Sequence, residues 1–144
     1  ILNESIETAA ADSISITTAH IPIRFGDSQL RLEKNLRVRD WAFRSLFGEL
    51  KGELTLLEIG NIILIGTPCD FSGEISVIAE LDKLASAHGK KLIITSFNGD
   101  YIGYITLDEH YDRYKKEEVM ALNWVGPNYG KYFEKIINRI LTER

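Results

Sequence analysis

The residue best placed for chemistry is Asp70. The all-apolar run Ile62-Ile63-Leu64-Ile65 leads through Gly66-Thr67-Pro68-Cys69 to its carboxylate, and a helix-like pattern opens behind it at Gly73-Glu74. In open α/β sheets ligands gather outside the carboxyl ends of strands, where side chains and helix amino ends face one crevice. A carboxylate there supplies hard oxygen donors to a metal ion, or a general base to a reacting proton. The position has a structural rival role, in which Asp70 with Ser72 caps the following helix by accepting from its orphan backbone amides. Both readings stand at this level.

Tyr101 and Tyr104 lie three apart on one predicted strand, so alternation puts them on opposite faces and only one can face a site beside Asp70. The ordinary role of a strand tyrosine is a core ring with its hydroxyl at the rim. Cys69 and Ser72 are the available nucleophiles, but no neighbouring cation lowers the thiol's pKa and no local spacing supplies a histidine base. His20, His88 and His110 are scattered singly, without the close spacing of a helix-borne zinc site. His88 reads as a dipole partner at a helix carboxyl end, and Asp108, Glu109, His110 and Asp112 as a solvated loop. There is no glycine-rich phosphate loop and no nucleophile elbow.

The elements that must position these groups follow from periodicity. Residues 1–12 lack an apolar period and read as a disordered lead-in. Ile14, Ile16, Thr18, Ile21 and Ile23 alternate as a half-buried strand, and Pro22 places it at or near a sheet edge. The spacing of Leu36, Val38, Trp41, Ala42 and Leu46 predicts a helix over about 36–50. Arg31, Lys34, Arg37, Arg39 and Arg44 cluster around it. A solvated surface accounts for such a cluster, with an anion or lipid-headgroup contact as the alternative. Leu54–Ile59 and Ile62–Ile65 flank Gly60-Asn61, a turn pair that predicts a tight antiparallel hairpin. A helix over about 73–88 stops at Gly89, a buried strand covers 92–97, and 101–106 forms another, with Asn98-Gly99 as a possible hairpin turn between them. Gly126-Pro127 open a last helix carrying Tyr129, Tyr132, Phe133, Ile136, Ile137 and Ile140. The expected class is α/β (α+β), a mixed sheet of about five to six strands with about three helices packed on it, forming a single domain over 13–144.

Composition narrows the partners. The chain of 144 residues carries 21 acids against 17 bases, a net charge of −4, which gives no electrostatic footprint for nucleic acid. No apolar run approaches the roughly 20 residues of a transmembrane helix. A single cysteine excludes an internal disulfide and leaves the redox compartment open. The only methionine is Met120, so Ile1 is not a translation start and the chain is expected to be a section of a longer one.

The order Thr67-Pro68-Cys69-Asp70-Phe71-Ser72, a helix, an apolar strand, Asn98 to Tyr104, and Ile105-Thr106-Leu107-Asp108-Glu109-His110-Tyr111 resembles the neutral, non-lysosomal ceramidases over about residues 60–141. The family's Pro-Gly-Glu-Phe-Thr segment, its later Asn-x-Tyr-x-x-Tyr, its acidic pair with a following Tyr, its Tyr-Glu step and its closing Gly-Pro helix have counterparts here in the same order. The resemblance implies that Asp70 and Tyr104 are zinc ligands, with zinc as cofactor. It implies substrate contacts at Tyr111 and, through the Tyr-Glu step that ends at Glu117, at Tyr114. The departures are specific. Asp70 is one methylene shorter than the family's glutamate, Cys69 replaces a glycine, Asn98-Gly99-Asp100-Tyr101 carries one extra residue, and Lys116 stands where the step's tyrosine would be. The family's two zinc-binding histidines come from an earlier part of the catalytic domain, and none of the three histidines here has a matching context.

The resemblance therefore implies a fragment of a ceramidase-like zinc-dependent amidohydrolase, hydrolysing the amide of an N-acyl sphingoid base or related lipid amide. It supplies half of the metal site and is inactive alone. Its partners are that lipid amide and the missing amino-terminal part of the catalytic domain, and its location is secreted or periplasmic. Two other readings remain: a non-catalytic α/β binding or interaction module, and a small independent hydrolase using Cys69 or Ser72.

Overall fold

A computed structural model describes residues 13–33, 35–113, 119 and 121–143. The lead-in over 1–12 and the residues Lys34, Tyr114, Lys116, Glu117 and Met120 lie outside the described residues. The chain order is β1 (Ile16–Ile23), β2 (Arg31–Glu33), β3 (Leu36–Arg37), α1 (Asp40–Phe47), β4 (Gly52–Ile59), β5 (Ile62–Gly66), β6 (Asp70–Phe71), α2 (Gly73–Ile78), α3 (Leu81–Ala87), β7 (Lys91–Thr95), β8 (Tyr104–Ile105), α4 (His110–Arg113) and α5 (Tyr129–Thr142).

A mixed four-stranded sheet in the order β1-β4-β5-β7 carries the fold, with β2–β3 and β6–β8 as separate two-stranded pairs. This is the α+β class the sequence predicts. β1 pairs antiparallel with β4 from Ile16↔Ile59 to Ile23↔Gly52, and Pro22 is tolerated because β1 is an edge. β4 and β5 form the hairpin expected around Gly60-Asn61, with Gly60 at φ 57. β5 and β7 run parallel, so the chain must cross over between them, and α2 with α3 makes that crossing. Leu54 and Leu56 of β4 and Ile63 and Ile65 of β5 face a core closed by Leu81 and Ala85 of α3 and by Phe133, Ile137, Ile140 and Leu141 of α5. In α5 the buried residues recur at three and four, while Lys131, Lys135 and Arg139 stay outside.

Several elements depart from the local pattern. The helix expected over 36–50 begins only at Asp40, because Leu36–Arg37 pairs back on β2 and the Val38 amide donates to Leu30 O at 2.9 Å. The helix expected over 73–88 is two helices, broken at Glu80, whose φ of 52 is left-handed. Gly89 does end the second, at φ 69, with Lys90 N donating to Ala85 O at 2.9 Å. Pro127 lies ahead of the last helix rather than in its first turn, since Asn128 at φ 71 is the residue at its amino boundary. The strand expected over 101–106 shrinks to Tyr104–Ile105, and its partner is β6 in parallel, not the preceding strand in a hairpin.

Candidate functional site

The apolar run of β5 ends at Gly66, and the next residues, Thr67-Pro68-Cys69, are fully buried. That segment is clamped from two sides. On one, Thr67 N donates to Thr95 O at 2.8 Å, Phe97 N to Cys69 O at 3.0 Å, Asn98 N to Thr67 O at 2.9 Å, and Phe71 N to Ser96 Oγ at 3.0 Å. On the other, Ile102 N donates to Pro68 O at 2.9 Å, Asp70 N to Gly103 O at 3.0 Å, and Ser72 N to Ile105 O at 2.9 Å. The amides of Thr67, Asp70, Phe71 and Ser72 are thereby all fixed by a distant strand or loop.

Asp70 and Tyr104 are register partners in the parallel β6–β8 pair. Partners in such a pair project to the same side of the sheet, so the Asp70 and Tyr104 side chains leave the backbone on one side, both half-buried. β8 is held from its far side by Tyr104 N donating to Leu122 O at 2.8 Å and by the Gly103↔Asn123 bridge. Gly103 sits at φ 89, where an added Cβ would lie 2.0 Å from Leu122 O, so only glycine lets the two backbones approach this closely.

Tyr101 joins the pair. Alternation on one strand predicted that it would face away from Tyr104, but it precedes the short strand and that rule does not reach it. Its phenol pKa is raised, first by burial and then by the neighbouring Tyr104, Asp70 and Cys69, which places it within electrostatic reach of both predicted ligands. Its ring stacks on Phe97 at 5.6 Å and meets Trp124 edge-on at 5.1 Å.

The capping role expected of Asp70 and Ser72 is not taken up. Ser72 is the amino-boundary residue of α2 and makes no side-chain cap hydrogen bond, while Asp70 is a strand residue two positions earlier. The Cys69 nucleophile fails on chemistry: burial first, and the Asp70 charge in addition, push its thiol up to about 12, so it is not a thiolate at neutral pH. The histidines are engaged elsewhere. His20 Nδ1 lies 2.6 Å from Glu53 Oε1, His88 Nδ1 is 2.9 Å from Leu84 O in the last turn of α3, and His110 Nδ1 is 3.6 Å from Glu74 Oε2. Asp108 is not part of a solvated loop: its Oδ1 accepts from Gly130 N at 3.1 Å and so caps α5 across 22 residues.

Tyr111 lies in the interior, 3% exposed, with the Arg31 guanidinium carbon 3.8 Å above its ring centroid and Arg31 Nη2 donating to its carbonyl at 2.7 Å. Tyr114, Lys116 and Glu117 lie outside the described residues. Two residues that matter to the site escape sequence reasoning, Gly103 and Trp124. An isolated glycine in an apolar strand pattern signals close backbone approach and could have pointed to the first; Trp124 carries no local signal.

Asp70 and Tyr104 are both oxygen donors suited to a hard or borderline divalent ion. Among the described residues no group of three or more His, Cys, Asp and Glu side chains is placed to hold a metal ion. Two such donors would fill at most half of a tetrahedral zinc site.

No family model matches the chain, and no curated protein matches it. Among solved structures its mixed-sheet α+β fold is similar to a section of two ceramidases. The neutral ceramidase from Pseudomonas aeruginosa superposes with a TM-score of 0.61 at 14% identity, over 90% of this chain and 28% of that one. A ceramidase complexed with C2 superposes with a TM-score of 0.60 at 14% identity, over 90% of this chain and 30% of that one. At this identity the likeness is one of fold, and the chain spans less than a third of the length of these neighbours.

Proposed function

We propose that this chain is the section of a ceramidase-like, zinc-dependent amidohydrolase that contributes two of the metal's ligands, Asp70 and Tyr104. The parent's substrate is an N-acyl sphingoid base or a related lipid amide. The observation that carries the reading is the in-register pairing of Asp70 with Tyr104 on one side of the β6–β8 pair, at the end of the apolar strand where the sequence resemblance sets the ligands. A zinc ion held there polarises an amide carbonyl and lowers the pKa of a bound water. Within this chain, Asp70 supplies the anionic oxygen, Tyr104 the phenolic one, and Tyr101 flanks both. The clamped backbone of residues 67–72 and 102–105 keeps Asp70 and Tyr104 in register.

The test joins this chain to the remainder of its catalytic domain and measures zinc by atomic absorption beside hydrolysis of a fluorogenic N-acyl sphingosine. Asp70→Asn and Tyr104→Phe are each expected to weaken zinc affinity by at least about a hundredfold, since each removes an inner ligand rather than a supporting hydrogen bond. The 144-residue chain alone is expected to hold zinc weakly and to hydrolyse nothing. Full zinc occupancy at unchanged affinity in both variants would sink the assignment and leave the binding-module reading in its place.

A further inference from the structure

We propose that the sheet face turned away from the helices, where Ile16, Leu57, Ile59, Ile62, Leu64 and Ile93 stand together, is the docking face for the part of the catalytic domain that lies outside these 144 residues. The inference rests on the reading of the chain as a section of a longer domain, and not on zinc or on the substrate. Pleating divides the side chains of each strand between two faces. Leu54 and Leu56 of β4, Ile63 and Ile65 of β5 and Leu92 of β7 belong to the core closed by α3 and α5. The residues that alternate with them point the other way, and the register lines these up across the sheet. Ile16, Ile59 and Ile62 form one row with Lys91, and Leu57, Leu64 and Ile93 form the next with Thr18. Six apolar side chains from four strands therefore share one face.

Among the described residues, none of the six belongs to the hydrophobic core or packs against it. Ile16 is 66% exposed and Ile93 38%, and the four on the inner strands, flanked by their own rows, are half-buried. An antiparallel sheet with one solvated face carries polar residues on that face. β4 and β5 instead place Leu57, Ile59, Ile62 and Leu64 there, so that Ile62-Ile63-Leu64-Ile65 is apolar without interruption. Such a run belongs to a strand covered on both faces.

The size of the patch selects its occupant. Two rows about 7 Å apart, crossing strands about 4.8 Å apart, make an apolar area on the order of 200 Å². A stable interface between separate proteins takes about 800 Å² from each partner, so a second copy or a free protein is poorly held here. A layer of the same domain is tethered, and its high effective concentration lowers the area required. The chain length to supply that layer exists in the two ceramidases similar in fold, of which this chain covers 28% and 30%. The face also ends at the candidate site. Its third row, Thr55, Gly66 and Thr95, is overlaid by Asn98, whose Nδ2 donates to Thr95 Oγ1 at 2.7 Å and whose side chain leaves no room for a Cβ on Gly66. Asn98 N donates to Thr67 O and Phe97 N to Cys69 O, so the loop that bounds the face also clamps the segment leading to Asp70. A layer seated on the two apolar rows abuts that loop.

The experiment places one cysteine at a time on the face, as Leu57→Cys, Leu64→Cys or Ile93→Cys. Maleimide labelling is followed by mass spectrometry in the 144-residue chain and in the same chain joined to the remainder of its catalytic domain. Cys69, the native cysteine, is fully buried, so the folded chain reports the introduced thiol. Circular dichroism checks each variant, and three positions keep the result independent of any one that does not fold. Labelling is expected to be about a hundredfold slower in the joined domain than in the 144-residue chain, because a covered thiol reacts only through local opening. Equal rates in the two polypeptides overturn the proposal and leave the face to another partner. So does sedimentation velocity showing a dimer of the 144-residue chain whose labelling is suppressed as concentration rises, which makes the face an interface between copies. Zinc content of the joined polypeptides keeps this proposal and the Asp70–Tyr104 assignment apart. Zinc bound while the three cysteines stay reactive sinks the docking face alone, and protected cysteines without zinc sink the ligand assignment alone.

Discussion

Cys69 and Asp70 are adjacent in the chain and opposite in chemistry. The backbone clamp that fixes both turns one side chain into the core and leaves the other half-buried at the strand end. For Cys69 this has a measurable consequence. Its folded pKa, about 12, lies above the ordinary value of 9.0, so the thiol is neutral in both folded and unfolded chains below pH 9 and contributes no slope there. As pH rises from 9 toward 12 the unfolded chain releases the proton and the folded chain keeps it, so stability falls by about 1.4 kcal/mol per pH unit, about 4 kcal/mol in all. Urea unfolding across that window should show wild type losing stability more steeply than Cys69→Ala, by that slope. Equal slopes would mean that the thiol is accessible in the folded chain. Asp70 was legible as a candidate because an apolar run leads to it; its pairing with Tyr104 was legible only through the order of motifs, since 33 residues separate the two and no local rule pairs them.

At the level of elements, whatever depends on neighbours in sequence was readable and whatever depends on distant partners was not. Gly60-Asn61 between two apolar runs specified the β4–β5 hairpin, Pro22 specified an edge, and the three-and-four repeat specified α5. The start of α1 was misread because Leu36 and Val38 continue a helical spacing while their backbone bonds to β2 and Leu30. The break at Glu80 carries no glycine or proline to announce it; a left-handed glutamate costs roughly 1–2 kcal/mol, which tertiary packing of α2 and α3 on α5 must offset. β8 was overextended for the same kind of reason, because its two paired residues are set by β6 and by Leu122. Gly103 is where that pairing is most exposed to mutation. Gly103→Ala must push backbone against backbone at Leu122, at a cost of about 3 kcal/mol, and should move Tyr104 out of register with Asp70. Thermal unfolding reads the first effect, and loss of the mutual perturbation between the Asp70 and Tyr104 NMR resonances reads the second. A variant as stable as wild type would mean that the β8 approach is looser than described.

Over the whole molecule the sheet has two edges of different character. β1 is defended by Pro22 and by polar exposed side chains, as edge strands ordinarily are. β7 is a parallel edge with Ile93 exposed, beside a cleft of about 320 Å³ lined by Phe71, largely exposed Val77 of α2, Leu92 and Ile94. Parallel strands are ordinarily covered on both faces and flanked by further strands, so an open parallel edge beside exposed apolar side chains is what a section of a larger domain would show. Under the function proposed above, the outward-facing amides of β7 should exchange with deuterium within seconds to minutes in the 144-residue chain and be protected in the longer catalytic domain, while β4 and β5 are protected in both. A self-sufficient binding module makes the opposite demand, since nothing further docks on β7 and its protection should be the same with or without additional chain. Hydrogen exchange followed by mass spectrometry on the two polypeptides separates these outcomes without requiring zinc, substrate or activity. Unchanged exchange at Lys91–Thr95 would remove the support that the exposed edge lends to the larger-domain reading.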